Sequence, residues 1–260
     1  MRFLAFGDVH YGWDKVFSSR GRLRKQPIHD IRAFRVMLKF AKEYRPDIIV
    51  MAGDIADMSP ICHHEFDRPK NLEAQRLQEV YEKLDEDIIQ PVEALGASTV
   101  YWIDGNHEAW AAKLASRIPG IDGLIDPFHY LRLAERGFLY QPVGSIVTLG
   151  KLAFAHGDTI TTSRLNAAKR AVERFGSSIR IWHHHTYQVF TKETLKNLAY
   201  QTGVAVPCLC SRGPRYQQTH LNSWVKGFLY GVIERNGFHD YVAVIWRNRL
   251  QTGDGHVYKA

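Results

Sequence analysis

Short apolar runs that each stop at a polar cluster recur through the first two thirds of the chain. Arg2–Phe6 ends at Gly7-Asp8-Val9-His10, Ile48–Ala52 ends at Gly53-Asp54-Ile55-Ala56-Asp57, and residues 98–103 end at Asp104-Gly105-Asn106-His107-Glu108. The run Ile48–Ala52 is continuous rather than alternating, as in a strand buried on both faces. A hairpin is expected at 145–149 and 151–155 across Gly150, and its second strand stops at His156-Gly157-Asp158. A short strand at 178–182 opens into His183-His184-His185.

Between these runs the apolar period changes to that of a helix. Ile31, Phe34, Leu38 and Ala41 predict a helix over 29–44 that Pro46 ends, and Leu77, Val80, Leu84 and Ile88 predict one over 72–89 with Pro91 beyond it. A third is expected over 163–175, with Ser163 as N-cap, Leu165, Ala168, Val172 and Phe175 facing inward and Gly176 as the stop. Its outer face carries Arg164, Lys169, Arg170 and Arg174. Residues 109–130 read as helix and then loop. The remainder is β-rich, at 200–210, 227–234 and 238–246, and Asn236-Gly237 between the last two marks a hairpin.

Strands alternating with helices and then mainly strands predict an α/β fold, a stack of mixed sheets flanked by helices. No linker, repeat or low-complexity segment divides the chain, so one domain over 1–260 is expected, with loop inserts near 11–28 and 59–71. The first insert crowds Arg20, Arg22, Arg24 and Lys25 without helical spacing, which suits a solvated loop or a clamp for substrate phosphate. The second holds Cys62, His63, His64 and Arg68. Neighbouring histidines on a loop rarely face one ion, so these are expected at the surface or towards substrate.

With 260 residues, 45% of them hydrophobic, a sizeable core is available. No run approaches the roughly 18 to 20 apolar residues of a membrane span, and Asp8 comes too soon for a signal peptide. A soluble, cytoplasmic protein with no membrane partner is expected. Cys62, Cys208 and Cys210 cannot all pair, and Cys208-Leu209-Cys210 lacks zinc-ribbon spacing, so buried free thiols are expected. A net charge of +7 and a pI near 9.3 favour polyanionic or phosphorylated partners.

The polar strand ends change the picture most. Open α/β sheets gather their sites at the carboxyl ends of strands, so Asp8 and His10, Asp54 and Asp57, Asn106 and His107, His156, and His183 and His185 can converge on one crevice. Their donors are oxygen and imidazole nitrogen with no thiolate, a set that suits Mn, Fe, Ni or Zn rather than a sulfur-bound structural zinc. The i, i+2 pairs Asp8/His10 and His183/His185 place both side chains on one side of an extended segment. So many donors exceed the needs of one ion, and two ions sharing a bridging carboxylate are expected. Such a pair, about 3.5 to 4 Å apart, acidifies a bridging water and clamps an in-line displacement at phosphorus.

Taken in order, Gly7-Asp8-Val9-His10, Gly53-Asp54-Ile55-Ala56-Asp57, Gly105-Asn106-His107-Glu108, His156-Gly157 and His183-His184-His185 resemble the successive motifs of the calcineurin-like metallophosphoesterases. The resemblance implies a four-layer αββα sandwich, two mixed β-sheets face to face with helices outside. It implies that Asp8, His10 and His185 bind one ion, that Asn106, His156 and His183 bind the other, and that Asp54 bridges. Manganese is the first expectation, with iron, nickel or zinc as alternatives. His107 is then free for charge stabilisation or for protonating the leaving oxygen, with Asp57 as its orienting carboxylate.

The chain departs from the family's pattern in three places. Trp182 stands where many members have glycine, so an aromatic is expected to border the site. His184 is adjacent to both histidines of its pair and could substitute, or face substrate. Met58-Ser59 follows Asp57 where the protein-phosphatase branch has Arg-Gly, which removes the arginine expected to partner Glu108. The expected activity is hydrolysis of phosphoesters by a metal-bridging hydroxide, with phosphodiesters such as DNA or RNA as the leading substrates. A phosphomonoesterase or small-molecule phosphodiesterase is the alternative, and a catalytically silent metal-binding scaffold the non-enzymatic one.

Overall fold

The computed structural model describes residues 1–17, 22–62, 76–161, 164–194, 199–211 and 224–260. Two sheets carry the architecture. The larger has the order β13-β12-β1-β4-β5-β6, with β1 Arg2–Phe6, β4 Ile48–Ala52, β5 Thr99–Ile103 and β6 Phe138–Gln141 parallel to one another, and β12 Gly227–Ile233 and β13 Phe238–Val244 added antiparallel at one edge. The smaller has the order β10-β11-β9-β8-β7, in which β8 Leu152–Ala155, β9 Ile179–Ile181 and β11 Ala199–Ala205 run parallel, while β7 Val147–Leu149 and β10 Gln188–Thr194 pair antiparallel.

The period-2 pleat explains the layering. Alternate residues Phe3 and Ala5 of β1, and Ile48, Val50 and Ala52 of β4, face Leu152, Phe154 and Trp182 from the second sheet in one buried cluster. Phe3 and Phe154 meet edge to face with centroids 5.3 Å apart. The intervening residues Leu4, Phe6, Ile49 and Met51 face the opposite way, onto helix α1 Ile31–Tyr44 and helix α2 Leu77–Leu84. On the far side of the smaller sheet, Ala153, Ala155, Ile179 and Ile181 pack against Ala167, Ala171 and Val172 of a helix at Ala167–Phe175. The result is the four-layer αββα sandwich with two mixed sheets.

Several elements differ from the sequence expectations, each for a local reason. The first insert is not a loop: β2 Trp13–Phe17 and β3 Leu23–Pro27 form an antiparallel hairpin rooted by a bridge between Tyr11 and Ala56. Pro91 does not stop the second helix. The helix widens to a π turn over Asp85–Ile89 and continues as Gln90–Glu93, a geometry that gives room to a residue with no N–H. The third helix begins at Ala167, after Asn166 in the left-handed region, so Leu165 precedes it and is exposed rather than inward. Strands β6 and β10 and a terminal hairpin, β14 Arg249–Gln251 with β15 Val257–Lys259, carry no period that marked them. Ser163, His63, His64 and Arg68 lie outside the described residues.

Candidate metal centre

Strands β1, β4, β5, β8 and β9 all deliver their carboxyl ends to one edge of the sandwich, and that edge gathers the polar clusters. Asp8, His10 and Asp54 place one donor atom each within 4.8 Å of one another, and Asp54, His156 and His183 do the same. Asp54 is common to both groups. Its Oδ2 lies 3.6 Å from His10 Nε2 and 3.3 Å from His156 Nε2. His185 Nε2 stands 3.2 Å from His10 Nε2 and 3.5 Å from Asp8 Oδ1, and Asn106 Oδ1 stands 3.2 Å from His156 Nε2. The expected donors Asp8, His10, Asp54, Asn106, His156, His183 and His185 are therefore brought together.

Backbone strain marks the same residues. Asp8 (φ 48°), His10 (48°), Asp54 (50°), His183 (73°) and His185 (56°) all occupy the left-handed region. Each such residue costs about 1 kcal/mol or more, so the fold holds several against their preference. The geometry also corrects the extended i, i+2 picture: both pairs converge through left-handed turns. Gly105 serves close approach, since a Cβ there would lie 2.2 Å from Asp54 Oδ1.

The outward ring nitrogens are anchored. His156 Nδ1 donates to the Ala52 carbonyl at 3.0 Å, and His10 Nδ1 lies 3.2 Å from Asp57 Oδ1. His107 Nδ1 donates to the backbone carbonyl of Asp57 at 2.6 Å, while the Asp57 carboxylate is 3.7 Å away. Asp57 thus orients His107 through its main chain and spends its carboxylate on His10 and Ser59. The His107 ring stacks on Trp110 with centroids 4.1 Å apart, and its Nε2 comes within 3.9 Å of Asp54 Oδ2.

Charge follows from this packing. Although burial opposes it, the Asp57 contact and the charges of Asp54, Asp57 and Asp8 lift His10 to about 9. Against the same burial, the charge and contact of Asp54 lift His156 to about 10. Burial and the neighbouring His156 push His183 down to about 3, and burial alone dominates in lowering His107 and His185. Buried carboxylates beside buried imidazoles, with ring nitrogens turned towards one another, form a donor set that a pair of divalent cations fits.

Glu108, whose partner the sequence did not reveal, accepts backbone N–H groups from Asp54 (2.9 Å), Ile55 (2.8 Å), Ala56 (3.0 Å) and Gly105 (2.9 Å). It ties the β4 and β5 strand ends together. Burial, with the charges of Asp54 and Asp104, pushes it up to about 8 against the pull of those N–H donors. Trp182 donates its backbone N–H to the carbonyl of His156 at 2.9 Å. It is fully buried between the sheets, in space left by Gly7, where a Cβ would lie 2.9 Å from its ring. His184 is buried, with burial taking it down to about 4 and its Nε2 unpartnered.

Of the expected phosphate-binding residues, Arg22 and Arg24 are exposed on the hairpin. Lys25 pairs with Glu79 and lies over the Trp13 ring at 4.5 Å, and Arg20 lies outside the described residues. The three cysteines are buried and none is in a disulfide. Sequence reasoning did not place Cys210 at the centre, yet its Sγ lies 3.8 Å from His185 Nδ1. No sequence signal marks that contact, which only the fold creates.

The family model of calcineurin-like phosphoesterases matches residues 1–211, and the chain belongs to that family. It is a metallophosphoesterase with a buried His/Asp cluster. Among curated proteins none matches the chain. Similar solved structures include Vps29 from Chaetomium thermophilum (10% identity, 99% of this chain and 94% of that one, TM-score 0.49). They also include a metallophosphoesterase from Sphaerobacter thermophilus (16%, 93% and 88%, 0.39) and a dimetal phosphatase from Danio rerio (9%, 93% and 95%, 0.47). Among the described residues no helix is long and apolar enough to cross a membrane.

Proposed function

We propose that the chain hydrolyses phosphodiesters, nucleic acid among them, with two divalent cations. The observation that carries this reading is Asp54, one buried carboxylate shared by the Asp8–His10 and His156–His183 clusters. We assign Asp8, His10 and His185 to one cation, Asn106, His156 and His183 to the other, and Asp54 to both, with manganese the first choice and iron, nickel or zinc next. When bound, the cations supply an acidified water and a Lewis-acid clamp for displacement at phosphorus.

The remaining chemistry belongs to His107. Its Nδ1–H is held by the Asp57 carbonyl, which leaves Nε2 as the atom that gives a proton to the departing ester oxygen. Burial lowers its pKa, so a proton on Nε2 is surrendered more readily. Trp110 beneath the ring fixes its plane. Support for a diester comes from charge: the chain is +7 overall, and the hairpin that begins three residues after His10 presents Arg22 and Arg24 to solvent. A polyanionic chain continuing past the scissile phosphate suits that surface.

The test is a paired assay on manganese-loaded protein with an aryl diester, DNA and an aryl monoester. Cleavage of the diester and of DNA is expected, with DNA affinity falling steeply as salt rises. His107→Asn should keep its metal and lose about 10²–10⁴-fold in turnover. Cleavage of the monoester alone would overturn the diester reading, and full turnover in His107→Asn would remove that residue from the chemistry.

A further inference from the structure

An imidazole has two nitrogens, and only one can face a cation. What holds the other decides both the tautomer and the aim of the ring. His10 rests its Nδ1 on a carboxylate and His156 on a carbonyl. His185 turns Nε2 towards His10 and Asp8, so its Nδ1 points out of the cluster. There it meets the sulfur of Cys210 at 3.8 Å.

The thiol is held where it is by main chain. Leu209 N–H donates to the carbonyl of Asp8 at 3.1 Å, Cys210 bridges His29, and Val225 N–H donates to the carbonyl of His185 at 3.0 Å. Residues 208–211 are therefore tied directly to Asp8 and, through Val225, whose carbonyl accepts the Cys208 N–H at 3.0 Å, to His185. Cys208, equally buried, lies by the carbonyls of Val225 and Cys210 and against the Cys210 thiol, and among the described residues no hydrogen bond joins it to an imidazole.

We propose that Cys210 is the positioning residue of His185: its sulfur accepts the Nδ1–H, fixes the tautomer with the Nε2 lone pair free, and so sets the affinity of the cation on the His10 side. The proposal rests on the two-cation reading above. Sulfur is a weak acceptor, so this is the softest support among the anchored rings of the centre. Loss of an outer partner of a ligating histidine costs about 10–100-fold in metal affinity.

The experiment is calorimetric titration of manganese into metal-free wild type, Cys210→Ala, Cys210→Ser and Cys208→Ala, with absorption spectra of the cobalt-loaded wild type. In Cys210→Ala one of the two binding events should weaken by about 10–100-fold while the other stays. Cys210→Ser, whose oxygen accepts the same N–H, should recover most of that loss, and Cys208→Ala should match wild type. The cobalt form should show no thiolate charge-transfer band, because the sulfur backs the ring.

Equal affinities in wild type and Cys210→Ala would overturn the proposal. So would an equal loss in Cys208→Ala, which would make the effect one of packing, and where Cys210→Ala fails to fold the cobalt spectrum of the wild type still tests the role. A thiolate band would make Cys210 a direct ligand beside His10 and His185, whose donor atoms lie within 4.8 Å of it, and would also overturn a positioning role. Binding of fewer than two cations by the wild type would instead strike the proposed function itself.

Discussion

On the His10 side of Asp54, the ring nitrogens that face away from the cluster rest on side chains, the Asp57 carboxylate and the Cys210 sulfur. On the His156 side, the corresponding nitrogen rests on the backbone carbonyl of Ala52, inside a strand end that cannot change without moving β4. Burial differs too: His10 and His185 are buried, whereas Asn106 and His183 are partly open to solvent. The two halves share Asp54 and are linked again by Asp8, whose carboxylate accepts the His183 backbone N–H at 2.9 Å. One half is therefore aimed by groups a point mutation can remove, and the other by the sheet.

The largest effect should come from the residue the halves share. Asp54→Asn removes the charge common to both clusters, and metal content should drop from two ions per chain to one or none, with activity falling by more than the roughly 100-fold that loss of an outer partner costs. Two retained ions, measured by elemental analysis after dialysis, would deny Asp54 its bridging place. Asp57→Asn should act on one half alone. It leaves the His107 anchor intact, since that bond goes to the main chain, and should weaken one binding event by about 10–100-fold while sparing the other. Equal weakening of both events in a calorimetric titration would erase the distinction between the halves.

Much of this centre was legible because parallel strands buried on both faces read as apolar runs, and the polar residues after each run had to lie at one edge. What could not be read shares a different property. Glu108 is satisfied by four main-chain N–H groups, three of them over fifty residues away in sequence, and backbone donors leave no mark in a side-chain pattern. The hairpin β2–β3 escaped because its cationic residues break alternation; its root is fixed by a bridge to Ala56 and its flank by the pairing of Lys25 with Glu79. Position alone did not show that the Trp182 ring fills the space made by Gly7 in the core between the sheets. Cys210 reaches His185 only because residues 208–211 fold back onto Asp8.

The smallest effect, and the one that treats the halves as alike, concerns pH. Without metal each half holds one strongly basic imidazole, His10 at about 9 and His156 at about 10, against roughly 6.5 in an unfolded chain. Both folded values are raised, so the stability these groups contribute is fully present below about 6.5 and lost as pH rises through 9 to 10. His183 and His184 have the opposite sign: pushed down to about 3 and about 4, they withdraw stability as pH falls below about 6.5. A cation bound at Nε2 takes the place of the proton, so loading near pH 7 should release about two protons and tighten as pH rises. The gap in melting temperature between manganese-loaded and metal-free protein should accordingly widen from pH 6.5 to 9, by several degrees. Binding heats that do not change between buffers of different ionisation enthalpy, or a gap that stays constant, would mean that neither His10 nor His156 carries a proton in the metal-free centre.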